Sequence, residues 1–96
     1  MAIIHLTDIA EKEIDEAELW YESQLPGLGE AFYDEVDEKI RQIADSPLQY
    51  PVLRRDIRRA VVKRFPFSIL FRVKDDAIFV VGCFHAKRNP TRWRRR

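Results

Sequence analysis

The stretch IRRAVVKRFPFSILFRVKDDAIFVVGCF, residues 57–84, decides the fold of this chain. It contains three runs of β-branched and aromatic residues, at 57–64, 67–73 and 77–84, and this composition favours strands. Pro66 separates the first two runs. Asp75-Asp76 lies between the last two and suits a two-residue hairpin turn. The stretch therefore predicts three consecutive strands in a mostly antiparallel sheet.

A two-residue turn at Asp75-Asp76 also predicts how the last two strands pair. The expected pairs are Phe71–Val80, Ile69–Gly82 and Phe67–Phe84 on one face, and Arg72–Phe79, Leu70–Val81 and Ser68–Cys83 on the other. Because side chains alternate along a strand, the row expected to face the core is Phe67, Ile69, Phe71 and Val73. The opposite face is expected to carry Ser68, Arg72 and, just past the strand end, His85.

Helical spacing dominates the first half of the chain. A short apolar run at 2–6 predicts a strand, and Asp8 with Glu11 resembles a capping box that opens a helix. Pro26-Gly27 ends this first helix, whose apolar positions are Ile9, Ile14, Ala17, Tyr21 and Leu25. Ser46-Pro47 closes a second helix, whose apolar stripe is Leu28, Phe32, Val36, Ile40 and Ile43.

The predicted order is strand–helix–helix–strand–strand–strand, followed by a basic tail at 90–96. The Pro-Gly turn predicts a two-helix hairpin. Packed on one face of the mostly antiparallel sheet, this hairpin makes an α+β domain. All 96 residues are expected in one domain, since cores divide only beyond about 250 residues. The side chains expected to be buried are Phe32, Val36, Ile40, Phe67, Ile69 and Phe71.

Charge is distributed unevenly along the chain. Residues 1–50 carry 13 acidic and 3 basic side chains, whereas residues 51–96 carry 3 acidic and 14 basic ones. The overall net charge of +1 conceals this asymmetry. It indicates a basic face for an anionic partner, although the packing of two oppositely charged halves against each other would also explain it.

Several functional classes lack their signature. The sequence has no glycine-rich phosphate loop, no CxxC pair and no His/carboxylate set at metal-ligand spacing, so we expect neither a cofactor nor a metal. The single cysteine, Cys83, is expected to be a buried small hydrophobe. No apolar run approaches the roughly 20 residues that span a bilayer, and the N-terminal residues lack a signal-peptide pattern. We therefore expect a cytoplasmic protein without a membrane partner.

Four segments together resemble the RelE/ParE (plasmid stabilisation) toxin family. They are LPGLGEAF at 25–32, SPLQYP at 46–51, RRAVVKRFPFSILFRV at 58–73 and FHAKRNPTRW at 84–93. The resemblance covers nearly the whole chain and implies the growth-inhibiting toxin of a type II toxin–antitoxin pair. Because the antitoxin's extended C-terminal segment wraps around such toxins, a hetero-oligomer with a cognate antitoxin is expected.

The resemblance leaves two targets open. ParE-like members inhibit DNA gyrase, whereas RelE-like members are ribosome-dependent mRNA endoribonucleases. Ser68 stands where cleaving members commonly carry an arginine, and the chain continues past His85 into an arginine-rich tail. Both departures favour the ParE-like function. If the chain is instead a nuclease, we expect His85 to transfer protons while Arg72 and Arg64 stabilise phosphate charge.

A binding toxin needs contact residues rather than a catalytic set. The candidates for contact with the target or with nucleic acid are Arg58, Arg59, Lys63, Arg88, Arg92 and Trp93. Arginine binds carboxylate as readily as phosphate, so the sequence does not distinguish gyrase, nucleic acid and antitoxin as their partner. His5, in the first strand, is interpreted as structural.

Overall fold

The computed structural model describes residues 3–86, and its elements follow the predicted order with one addition. A strand, β1 (Ile3–Leu6), precedes two helices, α1 (Asp8–Gln24) and α2 (Leu28–Asp45). A 3₁₀ turn at Pro47–Gln49 leads to β2 (Val52–Arg54), β3 (Ile57–Val61), β4 (Phe67–Lys74) and β5 (Ala77–His85). The sequence pattern does not predict β2, because three residues are too few to show alternation.

The five strands form one sheet in the order β1-β5-β4-β3-β2. β1 runs parallel to β5, and the other neighbouring pairs are antiparallel. Buried side chains from both helices and from β3, β4 and β5 form one core between the helices and the sheet. The predicted α+β arrangement is therefore confirmed.

The predicted core residues are buried with one exception. Phe67, Ile69 and Phe71 face the helices, and Phe32 and Val36 of α2 pack with them. Ile40 is only partly buried at the edge of this core. Each step of four residues turns about 40° further round a helix of 3.6 residues per turn, so the spacing 32–36–40 carries Ile40 towards solvent.

The start of α1 differs from the prediction by one residue. Thr7, rather than Asp8, is the N-cap, and its Oγ1 accepts the backbone N–H of Ala10 at 3.1 Å. The buried stripe accordingly begins at Ala10 and continues through Ile14, Ala17 and Tyr21. Ile9 and Leu25, both predicted to lie on this stripe, are exposed.

A β-bulge corrects the predicted pairing of β4 with β5. The pairs from Lys74–Ala77 to Phe71–Val80 follow the prediction, but Leu70 then pairs with Gly82 instead of Val81. The remaining pairs move by one residue to Ile69–Cys83, Ser68–Phe84 and Phe67–His85. An extra residue in one strand has this effect. An isolated glycine inside a strand pattern indicates a possible β-bulge, and Gly82 is such a glycine.

The bulge changes which face of the sheet the end of β5 presents. Ile78 and Val80 belong to the core beneath the helices, and beyond the bulge Cys83 joins them. Phe84 instead lies on the outer face, where it forms a second buried cluster with Ile57 and Leu70. Thus the alternation of β5 reverses at Val81, and His85 moves to the helix side.

Candidate target-binding surface

The helices and the later strands carry opposite charge. Residues 8–45, which form α1 and α2, contain 13 acidic and 3 basic side chains, a net charge of −10. The described residues that follow, 46–86, contain 8 basic and 3 acidic side chains, a net charge of +5. The basic half of the sequence thus builds β2 to β5, so an acidic or polyanionic partner is attracted to the sheet and repelled by the helices.

Arg58 is engaged within the fold. It lies opposite Phe71, on the helix side of the sheet, and is half-buried. Its Nη1 donates to the carbonyl oxygens of Tyr50, at 2.6 Å, and Leu48, at 3.4 Å. These bonds tie β3 to the 3₁₀ turn, which is a structural role for a predicted contact residue. The next residue, Arg59, is exposed and lies on the outer face.

Lys63 and Arg64 are exposed in the turn between β3 and β4. Arg64 has a left-handed backbone with φ of 73°, a conformation that costs most L-residues about 1–2 kcal/mol. The strand predicted at 57–64 therefore ends at Val61. Phe65 is buried and anchors the turn to the core, while Arg64 Nη1 lies 3.7 Å from Glu35 Oε1 of α2. The turn holds both cations at the surface.

Arg72 lies near the opposite end of the sheet, on its outer face. Its Nε is 3.4 Å from Asp56 Oδ1 in the turn between β2 and β3. Arg72 pairs with Phe79 of β5, and Phe79 pairs with His5 of β1. The rings of His5 and Phe79 stack with their centroids 5.0 Å apart, so His5, Phe79 and Arg72 form a row across three strands. The sequence does not reveal this row, because it depends on the parallel pairing of β1.

His85 does not share a face with Arg72, contrary to the prediction. After the bulge, His85 pairs with Phe67, and the two ring centroids are 5.3 Å apart. Phe67 points towards the helices and is five residues from Arg72 along β4, a distance of about 17 Å in a strand. A general acid–base group and a phosphate-binding arginine must reach the same reacting group, so His85 and Arg72 do not form one catalytic site in this structure.

Arg64 is closer to His85 in the fold than Arg72 is. The backbone N–H of Ala86, which follows His85, donates to the carbonyl oxygen of Pro66 at 2.6 Å. Pro66 follows the turn that carries Lys63 and Arg64, so these cations and His85 lie at the same end of the sheet. Arg88, Arg92 and Trp93 of the predicted binding set lie outside the described residues.

Cys83 is unsuited to nucleophilic chemistry. Burial, and secondarily the nearby Glu13 carboxylate, raises the pKa of its thiol to about 12, and the reactive form of cysteine is the thiolate. Glu13 Oε1 accepts the backbone N–H of Cys83 at 3.1 Å, which ties α1 to β5. Burial, followed by Cys83, also raises the pKa of the Tyr21 phenol.

Residues 3–86 contain neither a metal-ion cluster nor a membrane-spanning helix. No group of three His, Cys, Asp or Glu side chains in this part of the chain is placed to hold a metal ion. None of its helices combines the length and apolar character needed to cross a membrane.

Comparison with known proteins gives one family and several similar structures. The family model described as the ParE toxin of the type II toxin–antitoxin system, parDE, matches residues 4–90. No curated protein matches the sequence. The chromosomal ParDE toxin–antitoxin system from P. aeruginosa aligns with a TM-score of 0.81 at 21% identity, over 91% of this chain and 98% of that one.

RelE structures align less closely. The intact E. coli RelBE toxin–antitoxin complex has a TM-score of 0.69 at 16% identity, covering 92% of this chain and 100% of that one. The isolated E. coli RelE toxin has a TM-score of 0.69 at 15% identity, covering 99% of this chain and 95% of that one. At such identities, these likenesses show a shared fold.

Proposed function

We propose, from the premise that this chain belongs to the ParE toxin family of type II toxin–antitoxin systems, that it inhibits growth by binding DNA gyrase through the basic residues of its sheet. Among the described residues, the exposed cations of the sheet and its turns are Arg54, Arg55, Arg59, Lys63, Arg64 and Lys74. We assign Arg59, Lys63 and Arg64 to this contact. Arg88, Arg92 and Trp93, which the sequence predicts as further contacts, lie outside the described residues.

One observation carries the choice of a binding toxin over a nuclease. The residues that would transfer a proton and bind phosphate, His85 and Arg72, lie on opposite faces of the sheet. A binding surface does not need them to converge, whereas a nuclease that used both residues would. The separation therefore supports target binding by charge and shape without a covalent step.

An mRNA endoribonuclease is the second candidate. It draws support from Arg64 and His85 lying at the same end of the sheet. Such an enzyme would use His85 in proton transfer and Arg64 on the phosphate, without Arg72. Replacing His85 by Ala would then reduce cleavage by about 10²- to 10⁴-fold, the usual contribution of a general acid–base group.

A cognate antitoxin is the expected protein partner. The net charge of +5 on residues 46–86 complements an acidic or amphipathic tail, since charge complementarity speeds association and excludes wrong partners. The complex is expected to be a hetero-oligomer that covers the same cations as the target. Neutralisation then follows from competition for one surface.

Inducing the protein in bacteria distinguishes the two targets. We expect loss of DNA supercoiling and an SOS response, with no ribosome-dependent cuts in mRNA. Purified protein should likewise inhibit gyrase supercoiling directly. Ribosome-dependent mRNA cuts that vanish in His85→Ala, with gyrase activity untouched, would overturn the proposal in favour of the nuclease.

A charge reversal tests whether the sheet surface makes the contact. Lys63→Glu should weaken gyrase inhibition about three- to tenfold, more strongly at low salt, because exposed charges act through a screened field. Lys12→Glu in α1 changes the net charge equally and is the control, since its amine is exposed beside Glu16. Equal losses in the two variants would mean that net charge, rather than this surface, controls inhibition.

A further inference from the structure

A groove of about 270 Å³ lies on the helical side of the molecule, away from the basic sheet surface. Ile14 of α1 and Val36 of α2 are buried beneath it. Its other apolar lining comes from Leu6, Tyr33 and Ile40, and Tyr33 is 47% exposed. The volume is just below the roughly 300–1,000 Å³ of small-molecule pockets, so it fits one or two side chains of a peptide better than a cofactor.

Three carboxylates line the same groove: Glu11, Asp15 and Asp37. Asp37 is ion-paired with Arg41, with 2.9 Å between Oδ2 and Nη2. Glu11 and Asp15 have no ion-pair partner among the described residues, and they stand one helical turn apart on α1, where like charges repel each other. The apolar lining thus has two uncompensated negative charges beside it.

From this combination we infer that the groove binds a basic amphipathic helix of a protein partner. An apolar side chain of that helix enters between Ile14, Tyr33 and Val36. Two lysines or arginines, one turn apart on the partner, meet Glu11 and Asp15, whose positions are about 6 Å apart along α1. This is the helix-in-groove mode of peptide recognition. The carboxylates of Glu11 and Asp15 make the groove selective for basic helices.

The inference goes beyond the proposed function and does not depend on it. The surface proposed for gyrase and antitoxin consists of cations on the sheet, whereas this groove is acidic and lies in the layer with a net charge of −10. An acidic antitoxin tail would be repelled here. The groove therefore provides a second contact, specific for a segment of opposite charge.

Peptide binding to the whole protein tests the inference. The probe is a labelled synthetic helix with leucines on one face and lysines one turn apart on either side of them. Its counterpart has glutamates in place of the lysines. Fluorescence anisotropy should show binding of the lysine peptide only. The double variant Glu11→Gln/Asp15→Asn should weaken that binding about fivefold, the effect of losing two exposed ion pairs.

Matched variants separate the groove from the acidic layer as a whole. Glu30→Gln/Asp34→Asn removes the same two charges at the same spacing from exposed positions on α2 outside the groove. Its effect should stay within about twofold. Tyr33→Ser should weaken binding, whereas Leu19→Ser, at an exposed position outside the groove, should not. Circular dichroism checks that each variant is folded.

Three results would overturn the inference. The first is an equal loss of affinity for the lysine peptide in the two double variants, and the second is equal binding of the glutamate and lysine peptides. The third is concentration-dependent self-association of the protein that disappears in Glu11→Gln/Asp15→Asn. The last result would identify the occupant as a second copy of this chain. Gyrase inhibition by the same variants is measured in parallel, so failure of the proposed target and failure of the groove remain distinguishable.

Discussion

Gly29 allows the two helices to approach each other closely at the start of α2. A Cβ at this position would lie 2.7 Å from the Glu18 carbonyl oxygen and 3.0 Å from Glu22 Cβ. We therefore predict that Gly29→Ala lowers the free energy of unfolding by about 1–3 kcal/mol, as overpacking does. A decrease in the free energy of unfolding would be informative, because alanine normally stabilises a helix by about 1 kcal/mol relative to glycine.

Gly27→Asn is the control for Gly29→Ala, and chemical denaturation measures the stability of both variants. Gly27 has φ of 90°, and a Cβ at this position would have no atom within 4 Å. Because asparagine tolerates this backbone conformation, Gly27→Asn should change the free energy of unfolding by only about 0.5 kcal/mol. A Gly29→Ala protein as stable as the original would mean that α1 moves away from this position at no cost.

Cys83 predicts how stability depends on alkaline pH. Its pKa is raised from 9.0 to about 12 in the folded protein, so the folded state keeps its proton where the unfolded chain loses it. The free energy of unfolding should therefore fall as pH rises between these two values. Cys83→Ala removes this contribution and should flatten the decline in urea titrations at successive pH values. An unchanged slope would show that Tyr21, whose pKa is also raised, dominates instead.

At the level of elements, a substitution in the β3–β4 turn is expected to change inhibition without lowering stability. Arg64 has φ of 73°, and its ion pair with Glu35 is weak because the arginine side chain is 63% exposed. We predict that Arg64→Gly leaves stability unchanged or raises it by up to about 1 kcal/mol, while the proposed inhibition of gyrase falls. Thermal unfolding and a supercoiling assay measure the two effects.

Asp75→Gly is the matched control for Arg64→Gly. Asp75 has φ of 55° in the β4–β5 turn, at the opposite end of the sheet from Arg64. The substitution should relieve backbone strain in the same way, yet gyrase inhibition should be retained. Loss of inhibition in both variants would indicate that the altered turn backbone, rather than the missing cation, is responsible.

At the level of the whole molecule, the opposite charges of helices and sheet predict a stabilising partner. If the antitoxin has the proposed acidic or amphipathic tail and binds the folded but not the unfolded toxin, it should raise the melting temperature of the toxin. An antitoxin concentration of about 100 times Kd contributes roughly 2.7 kcal/mol. We expect an adjacent gene to encode the antitoxin, and calorimetry with and without its product measures this shift. If that product neither raises the melting temperature nor relieves growth inhibition, the assignment of the partner is wrong.

The sequence by itself determined the order of all elements except β2 and the 3₁₀ turn, the core face of β4 and the opposite charges of the two halves. These properties are local or compositional. Burial of one helix stripe requires apolar residues at helical spacing, as from Phe32 to Ile43, and burial of one strand face requires alternation, as from Phe67 to Phe71. Such periods can be read without knowing what packs against them, and the family resemblance added the toxin role.

Only the tertiary structure decided the contacts between distant strands. The bulge at Val81 places His85 opposite Phe67, and the parallel pairing of β1 places His5 in a row with Arg72. The structure likewise assigns Arg58 to the backbone of the 3₁₀ turn. Strand register is a property of two chain segments together, and one extra residue reverses every later side chain. The sequence therefore predicts which residues are candidates for the site, whereas their arrangement depends on the tertiary structure.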